Sequence, residues 1–208
     1  MFIEFAISIT ILLFSVVIHE VSHGAVANML GDPTARLQGR LTLNPLKHLD
    51  PIGSVLVPVV TSLIGVPFGW AKPVPYNPHN LSNKRWGSAL VGGAGPLSNI
   101  VLAVTFGLAA RFGESLFMFS EGVFFVFVFI TYINLLLAVF NLVPIPPLDG
   151  SKLLFSFFPD ISHRARIFLE RNGFIFLLMF IFFGFQLIVP IIDFLFYLIT
   201  GINFGPTL

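Results

Sequence analysis

Residues 2–30 form an apolar run interrupted near its end by His19, Glu20 and His23, in the order H-E-x-x-H. The run exceeds the roughly 20 residues that a helix needs to cross the hydrocarbon of a bilayer. On a helix, residues four apart lie one above the other on the same face. Both imidazoles can therefore reach one Zn²⁺, with the glutamate between them placed as general base. Ionisable side chains at membrane depth are costly unless they share a task, so the cluster marks a functional site. The rest of the chain then has to supply a third ligand, a route for water and a place for a substrate.

The remainder of the sequence suits such a helix. Of 208 residues, 56% are hydrophobic and 10% are charged, against about a quarter charged in soluble domains. This is the composition of a polytopic membrane protein. There are no cysteines, so a metal has to be held by His, Asp or Glu. The net charge of +1 says nothing about nucleic acid, but there is no basic run, and no nucleic-acid partner is expected. Glu4 stands where a signal peptide would be basic, and the apolar run continues into the motif, so it reads as a retained span.

Four full spans are expected: about 2–30, ending at Gly31-Asp32-Pro33; 87–110; 122–143; and 173–199, with a kink at Pro190. Residues 52–68 are apolar but short, and read as a thin span or a re-entrant helix. Ala35–Leu43 and Gly69–Pro78 alternate apolar and polar residues and read as short strands at the membrane surface. The second, blunted by prolines, could hold an unwound substrate segment by strand addition.

Lysine and arginine placement sets the orientation. Three such residues lie in 31–51, three in 69–86 and four in 144–172, whereas 111–121 has only Arg111. All three basic loops fit in the cytoplasm, with both termini outside. The first span then exits just after His23, on the side where the 122–143 span exits before Asp149. Asp149 has two readings here, a third metal ligand or the N-cap of a helix beginning at Gly150. Two His and one Asp with an open fourth position would be a catalytic zinc site. Pro144, Pro146 and Pro147 cannot continue a helix, and broken backbone at this depth is expected beside a wet cavity.

Three stretches together resemble the site-2 protease family of intramembrane zinc metalloproteases: His19 to Gly24, Gly95-Pro96-Leu97-Ser98-Asn99, and Asn141 to Gly150. The resemblance is to the short bacterial and archaeal branch without a PDZ domain. It implies that His19, His23 and Asp149 bind one Zn²⁺ and that Glu20 is the catalytic base. It also implies that Gly95, Asn99 and Asn141 line the site, in contact with substrate or behind the ligands.

The expectation is thus an all-α polytopic membrane protein with small surface strands, forming one domain over 1–208. Its catalytic core would be about 2–158 and its accessory helix about 173–200. It would cleave a peptide bond within or beside a transmembrane segment of a protein substrate, in a prokaryotic plasma membrane, with the site toward the cytoplasm. The alternative is a metal-binding membrane protein or regulatory subunit without protease activity.

Overall fold

The computed structural model describes residues 2–50, 53, 72–117 and 120–203. Seven α-helices occur among them: α1 (Phe2–Met29), α2 (Thr34–Leu37), α3 (Gly87–Phe117), α4 (Glu121–Asn141), α5 (Gly150–Phe157), α6 (His163–Met179) and α7 (Phe185–Thr200). A π-helical turn, Phe180–Gly184, joins the last two without a break. Four stretches are long and apolar enough to cross a membrane: Ile3–Met29, Gly87–Gly113, Glu121–Asn141 and His163–Thr200. Their number agrees with the sequence reading. The last differs in its start and in the place of its irregularity. Its charged first turns, with Arg164, Arg166, Glu170 and Arg171, are helical, and α-geometry is lost at Phe180–Gly184 while Pro190 lies inside α7.

α3 is the most enclosed span, with 39% of its apolar window buried against 17–22% in the other three. It packs on α1, α4, α5 and α7, so it can bring residues to a site from the middle of the bundle. Ala103 of α3, Leu135 of α4 and the α7 residues Ile188, Ile192 and Phe196 form the main buried cluster. Large apolar side chains point outward elsewhere, among them Ile3, Phe5, Phe183 and Leu187. That is the inverse of a water-soluble surface and suits a helix bundle in lipid, where backbone groups are satisfied within each helix.

α1 ends as expected. Gly31 adopts φ 100°, a left-handed conformation suited to glycine, and the Asp32 N–H returns to the Ala27 carbonyl at 2.9 Å. Asp32 is fully buried. Its carboxylate accepts from the Thr34 hydroxyl (2.6 Å), the Asn77 N–H (2.7 Å) and the Asn80 amide (2.9 Å), which pins residues 77–80 to the end of α1. Burial alone would raise this carboxyl; the hydrogen bonds from Thr34, Asn80 and Asn77 outweigh it and hold it below its ordinary range.

The expected surface strands are not formed: the described residues contain no strand. Thr34–Leu37 is a helical turn, and Pro45–Lys47 is a 3₁₀ turn capped by Asn44. Residues 72–77 are extended without a partner strand because side chains meet their backbone. The Arg40 guanidinium donates to the carbonyls of Lys47, Lys72 and Pro73. Lys72 N–H goes to the His48 carbonyl at 2.9 Å, and Val74 N–H goes to Glu20. Alternation of residue types cannot distinguish a ladder from a chain held by one buried arginine. The thin span or re-entrant helix expected over 52–68, and residues 69–71 of the second strand, lie outside the described residues, except Gly53.

Candidate metal centre

The motif lies near one end of α1. His23 is six residues before Met29, about 9 Å along the axis at 1.5 Å per residue. α4 ends at Asn141, and the proline-interrupted turns 142–149 carry the chain to Asp149. α1 and α4 therefore deliver their ends to the same side, as the charge argument required. Gly150 makes the turn close enough: a Cβ there would meet the Leu142 backbone carbon and the Val143 carbonyl oxygen at 2.5 Å.

His19, His23 and Asp149 come together and all are buried. His19 Nε2 lies 3.1 Å from Asp149 Oδ2, His23 Nε2 lies 3.0 Å from the same oxygen, and the two Nε2 atoms are 3.0 Å apart. The other nitrogens fix the tautomers. His19 Nδ1 is 2.6 Å from Asn99 Oδ1, and His23 Nδ1 is 2.6 Å from the Val91 carbonyl. Both partners only accept, so each Nδ1 carries the proton and each Nε2 presents a lone pair. Two lone pairs and a carboxylate oxygen converge on one point with no hydrogen to place between them. Such a donor set calls for a cation. Tetrahedral ligands about 2.0–2.1 Å from zinc lie roughly 3.3 Å apart, close to the observed triangle.

Gly95 leaves the room. A Cβ at this position would press on His23 Nε2 and stand 2.6 Å from His19 Nε2 and Cε1. Its part is to have no side chain where the ligand atoms meet.

Asp149 occupies the N-cap position of α5, yet its side chain makes no cap hydrogen bond. Oδ2 faces the histidines and Oδ1 accepts from Lys152 Nζ at 2.9 Å. The capping reading is therefore not the one that the geometry follows. Burial would lower the Lys152 ammonium, but the Asp149 charge outweighs it and raises it, so Lys152 is cationic across the neutral range.

Asn99 is fully buried behind His19. Its Nδ2 donates to Asn134 Oδ1 (2.8 Å) and to the Ser15 carbonyl (3.4 Å), and Asn134 Nδ2 donates to Ser15 Oγ at 2.9 Å. Ser15, Asn134, Asn99 and His19 form one relay across α1, α3 and α4. Asn99 is committed to orienting His19. Asn141 is not brought in: its amide donates to the Leu137 carbonyl of its own helix. Glu20 is partly buried, with Oε2 accepting from Val74 N–H at 2.8 Å.

Sequence reasoning missed Lys152 and Ser15. Lys152 had a signal, since three residues after a helix-entry Asp lies on the same face. Ser15 had one too, at i−4 from His19. His48 is buried away from this centre, its Nε2 2.9 Å from the Thr42 carbonyl.

Comparison with known proteins bears on this site. A family model for Peptidase family M50 matches residues 114–183, the stretch that carries Asp149. Relatives sharing the name "Putative zinc metalloprotease" match more widely. YwhC of Bacillus subtilis is 42% identical over 176 residues, 82% of this chain and 78% of its own. Rip2 of Mycolicibacterium smegmatis is 32% identical over 166 residues, 78% of this chain and 61% of its own. MJ0611 of Methanocaldococcus jannaschii is 41% identical over 63 residues, 29% of this chain and 30% of its own. No solved structure gives a significant match. With one relative matched along most of both chains and the family model on the Asp149 segment, the chain belongs to peptidase family M50, the family of the site-2 proteases.

Proposed function

We propose that this protein is a zinc-dependent endopeptidase that cuts a peptide bond within or beside a substrate's transmembrane segment. The observation that carries the reading is the convergence of His19 Nε2, His23 Nε2 and Asp149 Oδ2, with both Nδ1 hydrogens donated away from the centre. These three residues are the proposed ligands of one Zn²⁺. A bound zinc supplies Lewis acidity toward the scissile carbonyl and makes water acidic enough to attack near neutral pH.

The chain's own residues supply the rest. Glu20 is the proposed base: it takes a proton from the attacking water and returns it to the leaving amide nitrogen. Val74 N–H fixes Oε2, and Oε1 has no hydrogen bond among the described residues. Asn99 and the Val91 carbonyl hold the two imidazoles in register. Lys152 holds Oδ1 of Asp149, so that Oδ2 alone faces the centre. The turns 142–149 are the proposed entry for water, at the face that carries the basic loops and is read as cytoplasmic.

The test pairs metal content with cleavage. Glu20→Gln in the full chain should retain zinc and lose cleavage of a single-span substrate in native membranes. Asp149→Asn should lose both. Cleavage by the Glu20→Gln protein at the parental rate would overturn the mechanism.

A further inference from the structure

Next to the metal centre, on the side of Asp149 away from the histidines, lies a half-open cavity of about 740 Å³. One wall is the inner face of α5, the other is the charged first half of α6, and the rim is the segment from Tyr76 to Ser88. Five cationic side chains line it, Lys84, Arg85, Lys152, Arg166 and Arg171, against one carboxylate, Glu170. That carboxylate is bonded to Arg166 at 2.9 Å. Arg85 and Arg171 meet no carboxylate among the described residues.

Basic loops need only lie on one face to orient a membrane protein. Here two of them, 69–86 and 144–172, converge on a single space. Aromatic rings accompany the cations: Lys152 over Tyr76 (5.4 Å), Arg166 over Phe155 (4.8 Å) and Arg85 over Trp86 (5.3 Å). Trp86 packs edge-on against Phe157 at 5.1 Å. The cavity also sits at the level where two apolar stretches begin. Ser88 belongs to the first turn of α3, and Phe174 is an exposed ring in α6 just beyond Arg171. Cations with tyrosine and tryptophan at the start of the hydrocarbon mark headgroup depth, and basic pockets between membrane helices take anionic headgroups.

The geometry points to a binding site for the phosphate of an anionic phospholipid headgroup, with the acyl chains running down past Phe174. Lys152 is shared between this site and Asp149, so occupancy reaches the metal ligand through one side chain. The site does not depend on the proteolytic reading, because its test reads binding.

The test uses the full chain in detergent and native mass spectrometry with phosphatidylglycerol or phosphatidylcholine of identical chains. The parental protein should retain phosphatidylglycerol preferentially. Arg85→Glu with Arg171→Glu should cut that retention by about tenfold or more. Arg36→Glu with Arg164→Glu, the same charge change at positions that do not line the cavity, should leave it near the parental level. Size-exclusion profiles establish that each variant is folded. Inorganic phosphate is added in a parallel arm: if it displaces the lipid at matched concentration, the site takes free phosphate as well, and if it does not, the lipid is the source. Equal loss in both double variants, or no preference for phosphatidylglycerol, would overturn the site.

Discussion

Lys152 Nζ lies 2.9 Å from Asp149 Oδ1, so one oxygen of the carboxylate is held by an ammonium and the other is left to the histidines. Lys152→Met should release that oxygen and leave Asp149 free to rotate. Zinc affinity is expected to fall by about 10- to 100-fold, the usual effect of losing a residue that orients a ligand. Lys152→Arg should restore part of it. Competition with a chelating dye reads both.

Asn99 acts on the opposite side of the centre. Asn99→Leu removes the acceptor for His19 Nδ1–H and also strips a partner from the buried amide of Asn134. Zinc affinity should fall about 10- to 100-fold, with a stability loss of about 1–3 kcal/mol for the orphaned amide. Asn99→Asp keeps the acceptor and should keep more of the metal affinity than Asn99→Leu. Equal affinities in the two variants would show that His19 needs no orientation.

Gly95→Ala tests space rather than hydrogen bonding. The added methyl would press on both imidazoles where their Nε2 atoms meet. The protein should still insert and fold, as read by thermal melting in detergent, while stoichiometric zinc is lost.

Val74→Pro removes the N–H that fixes Glu20 Oε2 and leaves the three ligands untouched. Cleavage should drop at least tenfold, and by no more than the roughly 10⁴-fold upper end of what general acid–base catalysis contributes, with zinc content unchanged. Loss of zinc together with activity would place the damage in the fold.

Asp32 gives a pH dependence. Its folded-state pKa is depressed by the hydrogen bonds it accepts. Its contribution to stability is therefore fully present above the unfolded-state value, about 3.9, and is lost as pH falls through the lower folded value. Melting temperature should decline below about pH 4, and Asp32→Asn should flatten that decline while lowering stability at neutral pH. A parental protein whose melting temperature did not respond to acid would rule out this role.

The motif, the number of spans and the side on which Asp149 meets the histidines could be read from the sequence. Each depends on local spacing or on summed hydropathy and charge, which survive without coordinates. The relay through Ser15 and Asn134 could not, because it depends on which faces of α1, α3 and α4 meet. Arg40 shows the same limit from the other side: alternating residues over 35–43 imply a ladder, yet a buried guanidinium three carbonyls deep does the ladder's work. Asn141 sits beside the right proline-rich turn in sequence and turns its amide back to its own helix.

His19 and Asp149 are 130 residues apart in the chain, and the protein has no cysteine. A metal bound between them would act as a reversible cross-link closing that loop. By the chain-entropy relation used for disulfides, such a closure stabilises the folded state by at most about 5 kcal/mol, less where the unfolded chain still sits in the bilayer. Stripping the metal should therefore soften the whole bundle as well as silence the site, and the melting temperature should rise with free zinc concentration.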